Sequence, residues 1–158
     1  FKAVVRENIS GRFKEWQEEF QNFRGSSAEM VRYCLKTWWE RVGDTPASGI
    51  AKLMMSEAQN FPELAAFYHQ EVMQPGQDLI CRILQRGIDR GEFRAVDVEY
   101  TAFSLAAPML FLVMMKHSLC ACLPEDYQLD PERFIAAQTD TLLHGLCVRP
   151  ENGKETGS

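Results

Sequence analysis

Three residues near a predicted helix end, His117, Cys120 and Cys122, carry the side chains with the most obvious chemical potential. Imidazole and thiolate are soft ligands, so the trio could hold a metal or sense redox state. The competing reading is a Cys-rich helix end that fills apolar space. The trio lacks the paired spacing of zinc modules. A di-iron bundle would need Glu-x-x-His, but His69, His117 and His144 follow Ala66, Met114 and Thr141 at that spacing. No Gly-x-Ser-x-Gly elbow or phosphate-cradling glycine loop is present. Cys34 and Cys81 sit on apolar stripes, where a thiol is ordinarily inert. The reading is therefore no enzyme, no metal and no cofactor. A metal- or redox-sensing protein built on His117, Cys120 and Cys122 stays as the alternative.

A second group has binding rather than catalytic potential. Trp16, Phe20, Trp38, Trp39, Phe67, Tyr68, Phe103 and Phe111 come from four predicted helices, with Met54, Met55, Met73 and Met114 beside them. Each alone is explained by core packing. Together they suit the wall of an apolar cavity between helices. Glu57, Gln59, Tyr68 and His69 are the polar groups placed to orient a ligand there, although Glu57 fits a solvated face equally well. The candidate ligand-binding set is Trp16, Phe20, Trp38, Met54, Glu57, Phe67, Tyr68, Met73, Phe103 and Phe111.

Helical periodicity must position these residues. Phe1, Val4, Val5, Ile9, Phe13, Trp16, Phe20 and Phe23 form one stripe, predicting a single helix closed by Gly25. Ser26 and Glu29 read as a capping box for a helix that ends at Gly43. Asp44-Thr45-Pro46 starts a third helix. A long helical pattern runs from Pro62 to Arg90, with a kink or break expected at Gln74-Pro75-Gly76. Gly91 is the C-cap candidate, with Phe93 folding back behind it. Asp97 caps a helix that is apolar and uncharged from Tyr100 to Met115. Such a helix is buried on all sides, or packs both on its own domain and on a second subunit. It is too short and wrongly flanked for a membrane span. Asp130-Pro131 opens the last helix, on which Gln138, Thr141 and Gly145 make a small-residue stripe. No strand alternation is visible. The fold class is all-α, a helical bundle of six or seven helices.

The chain has 158 residues, a net charge of −5, 46% hydrophobic and 25% charged residues. That fits one domain, here 1–149, with a disordered polar tail at 150–158. An acidic chain has no general attraction to nucleic-acid phosphates. Five cysteines, an odd number, do not make a disulfide framework and suit reduced thiols in the cytoplasm. The chain starts without Met inside a periodic segment and is read as a fragment lacking its N-terminal part.

The run Phe61-Pro62-Glu63-Leu64-Ala65-Ala66-Phe67-Tyr68-His69-Gln70-Glu71-Val72 and the later Arg86-Gly87-Ile88-Asp89-Arg90-Gly91-Glu92-Phe93-Arg94 are the most telling. They resemble the C-terminal regulatory domain of TetR-family transcriptional regulators. The order of the other helices matches over most of 1–149. The resemblance implies a homodimer joined through the last two helices. On it, Met109, Leu112, Phe134, Gln138, Thr141, Leu142 and Gly145 form the dimer interface. It also implies a small hydrophobic or aromatic effector inside the remaining helices. DNA would be bound only through a helix-turn-helix that is absent from this chain, in a cytoplasmic repressor without membrane contact.

Overall fold

The computed structural model describes residues 1–149. The expected polar tail at 150–158 lies outside the described residues. Among the described residues eight α-helices follow one another: α1 (Lys2–Asn8), α2 (Phe13–Gln21), α3 (Ser27–Trp38), α4 (Gly49–Glu57), α5 (Pro62–Tyr68), α6 (Gln74–Asp89), α7 (Val98–Met114) and α8 (Pro131–Leu146). There are no strands among the described residues beyond one isolated bridge, Phe93 to Cys147. The fold is all-α, as the periodicity requires.

The first stripe departs from expectation. It is two helices, not one, joined by a 3-10 turn at Ser10–Arg12. Gly11 lies in that turn, and a Cβ there would sit 2.5 Å from the Arg6 carbonyl oxygen. The apolar stripe continues across the break, because Val5, Ile9, Phe13, Trp16 and Phe20 are all buried. Periodicity records which side faces the core and is blind to a one-turn change of hydrogen bonding. The helix also ends at Gln21, before Gly25.

The caps form as read. Ser26 Oγ accepts from Glu29 N at 3.1 Å, and Glu29 Oε2 accepts from Ser26 N at 2.9 Å. Asp97 caps α7 through Tyr100 N, and Asp130 caps α8 through Glu132 N and Arg133 N. The break expected at Pro75 is displaced one turn upstream. α5 passes through a π-helical stretch, His69–Met73, into α6. The Pro75 ring would clash with the carbonyl of Glu71, which lies inside that stretch, and widening the turn relieves it. A second proline, Pro108, sits within α7, yet that helix continues past it.

α7 is not buried on all sides. It packs on α4, α6 and α8. With its continuation to Cys122 it is long and apolar enough to cross a membrane, yet only 28% of its apolar window is buried within the chain. Tyr100 and Phe111 point outward, and Phe103 is half exposed. The core lies between α2, α3, α6, α7 and α8, where Leu84, Ala102 and Val113 are fully buried.

Candidate functional site

A cavity of about 540 Å3 opens between α2, α3, α4, α6 and α7. α2 presents Phe13, Trp16 and Phe20, because that stripe faces inward. α3 adds Cys34, Thr37 and Trp38 one and two turns along the face that follows the capping box. The end of α5 and the π-helical stretch add Tyr68, His69, Val72 and Met73. The first turns of α6 give Gln74, Gly76 and Gln77, and α7 closes the wall with Glu99, Phe103, Ala106, Ala107 and Met109. Gly76, Ala106 and Ala107 stand in the same wall, and a Cβ on Gly76 would lie 3.8 Å from the Phe13 ring. A smaller groove of about 300 Å3 lies between α3 and α8, where Lys36 is already paired with Glu40 at 3.8 Å.

The wall is mostly apolar, and its polar groups are few. Trp16 is 4% exposed, and its Nε1–H has no acceptor among the described residues. Burial pushes the Tyr68 hydroxyl and the Cys34 thiol each up to about 12, so both stay protonated at neutral pH. Glu99 stands exposed at the start of α7, where its carbonyl accepts from Gln77 Nε2 at 2.9 Å.

Six of the ten residues expected to bind ligand line this cavity: Trp16, Phe20, Trp38, Tyr68, Met73 and Phe103. Four do not. Met54 is buried elsewhere in the interior. Glu57 accepts from Asn60 Nδ2 at 2.8 Å and serves the end of α4. Phe67 turns to α1, edge-on to Phe1 with ring centroids 6.5 Å apart. Phe111 is 51% exposed and stacks on Phe134 on the outer side of α7 and α8. His69 joins the wall, whereas Gln59 is exposed away from it. Phe13, Cys34, Thr37, Val72 and Glu99 escaped the sequence reading. Periodicity marks the inward face of a helix and does not tell which inward residues border a cavity.

The residues expected at the dimer interface divide. Met109 and Leu112 are 3% and 2% exposed within one chain, so they belong to its interior and are not available to a second copy. Met109 also lines the cavity. On an all-round apolar helix the sequence cannot say which face turns inward. Gln138 is turned toward its own chain, its Nε2 donating to the Leu105 carbonyl at 3.1 Å. Phe134 and Leu142 are half-buried, while Thr141 and Gly145 are exposed. A Cβ on Gly145 would meet nothing within 4 Å.

His117, Cys120 and Cys122 are not brought together as a ligand set. Both cysteines are exposed, and among the described residues no group of three His, Cys, Asp or Glu converges on a point. The His117 ring is engaged instead. Its Nε2 lies 2.7 Å from Ser48 Oγ, which is also within reach of the Gly43 and Thr45 carbonyls. One hydroxyl proton serves one carbonyl, so the imidazole N–H donates to the serine. Ser48 is buried, and the pair latches α4 to the end of α7. Lys52 Nζ adds a bond to the His117 carbonyl at 2.8 Å.

Burial, then the charges of Lys116 and Lys52, hold the His117 pKa below its usual value. The folded state therefore binds this proton less readily than the unfolded chain does. Stability is intact above the unfolded value near 6.5 and is lost as pH falls through it toward the lower folded value. His117→Gln keeps a donor for Ser48 without titrating. In urea melts the wild type should lose ground relative to this variant between pH 7.5 and 5.5. A pH-independent difference would contradict the assignment.

A family model described as the tetracyclin repressor-like C-terminal domain matches residues 24–121, more than half of the chain. α1, α2 and α8 lie outside the matched span. No curated protein and no solved structure shows a significant match.

Proposed function

Since the chain belongs to the family of tetracyclin repressor-like C-terminal domains, we propose that it is the effector-sensing and dimerisation domain of a cytoplasmic transcriptional repressor. It binds a small apolar or aromatic molecule in the cavity between α2, α3, α6 and α7. In the longer protein, α1 connects to a DNA-binding helix-turn-helix, and DNA is contacted only there.

One observation carries this reading: the cavity wall and the seat of α1 share a single segment, the end of α5 and the π-helical stretch after it. Tyr68, His69, Val72 and Met73 line the cavity from the end of α5 and the π-helical stretch. The same segment holds α1. Lys2 and Arg6 lie over the Phe67 ring at 5.2 and 5.1 Å, and Arg6 pairs with Glu71 at 3.6 Å. A ligand that prefers one packing of this segment therefore biases the position of α1. Such coupling is typically worth about 1–3 kcal/mol. Across a dimer, a shift in α1 changes the separation of two DNA-reading heads whose half-site spacing is fixed geometrically.

The test is a panel of uncharged aromatic molecules screened by thermal shift and tryptophan fluorescence. A true ligand at 100 times its Kd stabilises by about 2.7 kcal/mol, which raises Tm by several degrees. Ala106→Phe places a ring in the cavity and should abolish the shift while leaving Tm of the free protein within a few degrees. A panel without any shift would favour a dimerisation module that has no ligand.

A further inference from the structure

Besides the Trp16 indole and the Cys34 thiol, the polar side chains on the cavity wall are Thr37, Tyr68, His69, Gln74, Gln77 and Glu99. They fall into two groups. His69, Gln74 and Glu99 are exposed, so water at the rim serves them, and Gln77 Nε2 is spent on the Glu99 carbonyl at 2.9 Å. Thr37 is buried and Tyr68 half-buried, and among the described residues neither hydroxyl has a hydrogen-bond partner. Neither is sealed off: the buried side-chain atoms that lack both a partner and accessible surface are Trp16 Nε1 and Gln138 Oε1. Burial nevertheless pushes the Tyr68 hydroxyl up to about 12, so it keeps its proton and does not face bulk water. The open space beside these two hydroxyls is the cavity. An enclosed hydroxyl without a partner is disfavoured, so an occupant that accepts its hydrogen bond gains over one that cannot. Charge finds less support. Among the described residues no Lys or Arg lines the cavity, and Glu99 and His69 stand in water at the rim. Deeper in, an ion would exchange its hydration for neutral hydroxyls and rings. Ring faces attract a cation, but by less than that hydration is worth.

We propose that the effector is an aromatic molecule carrying an uncharged hydrogen-bond acceptor, such as a carbonyl oxygen, and that the Tyr68 hydroxyl donates to that acceptor. The proposal rests on the cavity being the effector site. Of the two free hydroxyls the phenol is the more acidic, and so the stronger donor. Its position also suits signalling. The residue before it, Phe67, turns to α1, edge-on to Phe1 and beneath Lys2 and Arg6. A bond made at Tyr68 therefore fixes the same turn of α5 whose neighbouring ring seats α1.

Isothermal titration with four naphthalenes of nearly equal shape tests this. 2-Acetylnaphthalene carries a neutral acceptor, 2-ethylnaphthalene carries none, 2-naphthoate is an anion and 2-naphthylmethylammonium a cation. The ketone should bind about tenfold more tightly than each of the others. Tyr68→Phe removes one oxygen and keeps the ring, and in it the ratio of ketone to hydrocarbon affinity should fall to about one. A preference that survives Tyr68→Phe and vanishes in Thr37→Val would hand the bond to the threonine and overturn the assignment. Equal binding of ketone and hydrocarbon to the unaltered protein, or an ion binding as tightly as the ketone, would overturn the inference and leave the effector site standing. If none of the four binds, the effector site itself falls, and the inference with it. The ranking on the unaltered protein is decisive against the inference even if neither variant folds.

Discussion

Gly87→Ala is expected to destabilise the domain by about 3 kcal/mol, a large share of the 5–15 kcal/mol typical of a folded domain. Gly87 lies within α6, where alanine would ordinarily gain up to about 1 kcal/mol from helix propensity. Here a Cβ would sit 2.1 Å from Phe93 Cδ2 and 2.5 Å from Phe93 Cε2. The ring cannot simply turn aside, because Phe93 is buried and its backbone is fixed. Glu92 N and Phe93 N both donate to the Gly87 carbonyl at 2.9 Å, and Gly91 holds the turn with a φ of +72°. Only a residue without a Cβ adopts that φ freely. The ring must leave its site, and losing a buried phenylalanine costs about 3–5 kcal/mol. The damage should spread to α8, since Arg94 N donates to the Leu146 carbonyl and Phe93 bridges to Cys147. Urea melts measure the loss. Adding Phe93→Leu to Gly87→Ala should recover part of it, and a single variant as stable as wild type would refute the packing argument.

The second large effect concerns assembly. Phe111→Glu should weaken the proposed homodimer about a hundredfold while leaving the fold intact. Phe111 is half exposed in a single chain, stacked on Phe134 with centroids 6.0 Å apart, so a carboxylate there remains in water when the chain is alone. Covered by a second copy it would be a buried, unpaired charge, and a penalty near 2.7 kcal/mol corresponds to that factor. Thr141 and Gly145 are exposed further along α8, the helix that carries Phe134. Sedimentation at micromolar concentration should find a dimer for the unaltered chain and a monomer for the variant. An unaltered chain that sediments as a monomer would remove this interface from consideration.

The outward turn of Phe111 illustrates what the sequence could not supply. Helix periodicity placed Trp16, Phe20 and Trp38 on inward stripes, because on α2 and α3 charged residues mark the opposite side. α7 has no such marker between Glu99 and Lys116. Phe103 and Phe111, eight residues apart, look alike in sequence and end in different surroundings, one on the cavity and one on the outer face. Met109 and Leu112 were misassigned for the same reason. Glu57 was drawn away by a purely local partner, Asn60.

The sequence by itself determined the all-α class, the caps at Ser26, Asp97 and Asp130, the stop at Gly91 and the family resemblance. These depend on interactions within a few residues, so the residues that make them are visible together on the chain. Only the tertiary structure decided the cavity, the unsatisfied Trp16 indole, the His117–Ser48 latch and the side of α7 left open. Each joins groups from separate helices, and its existence depends on how far apart those helices stand.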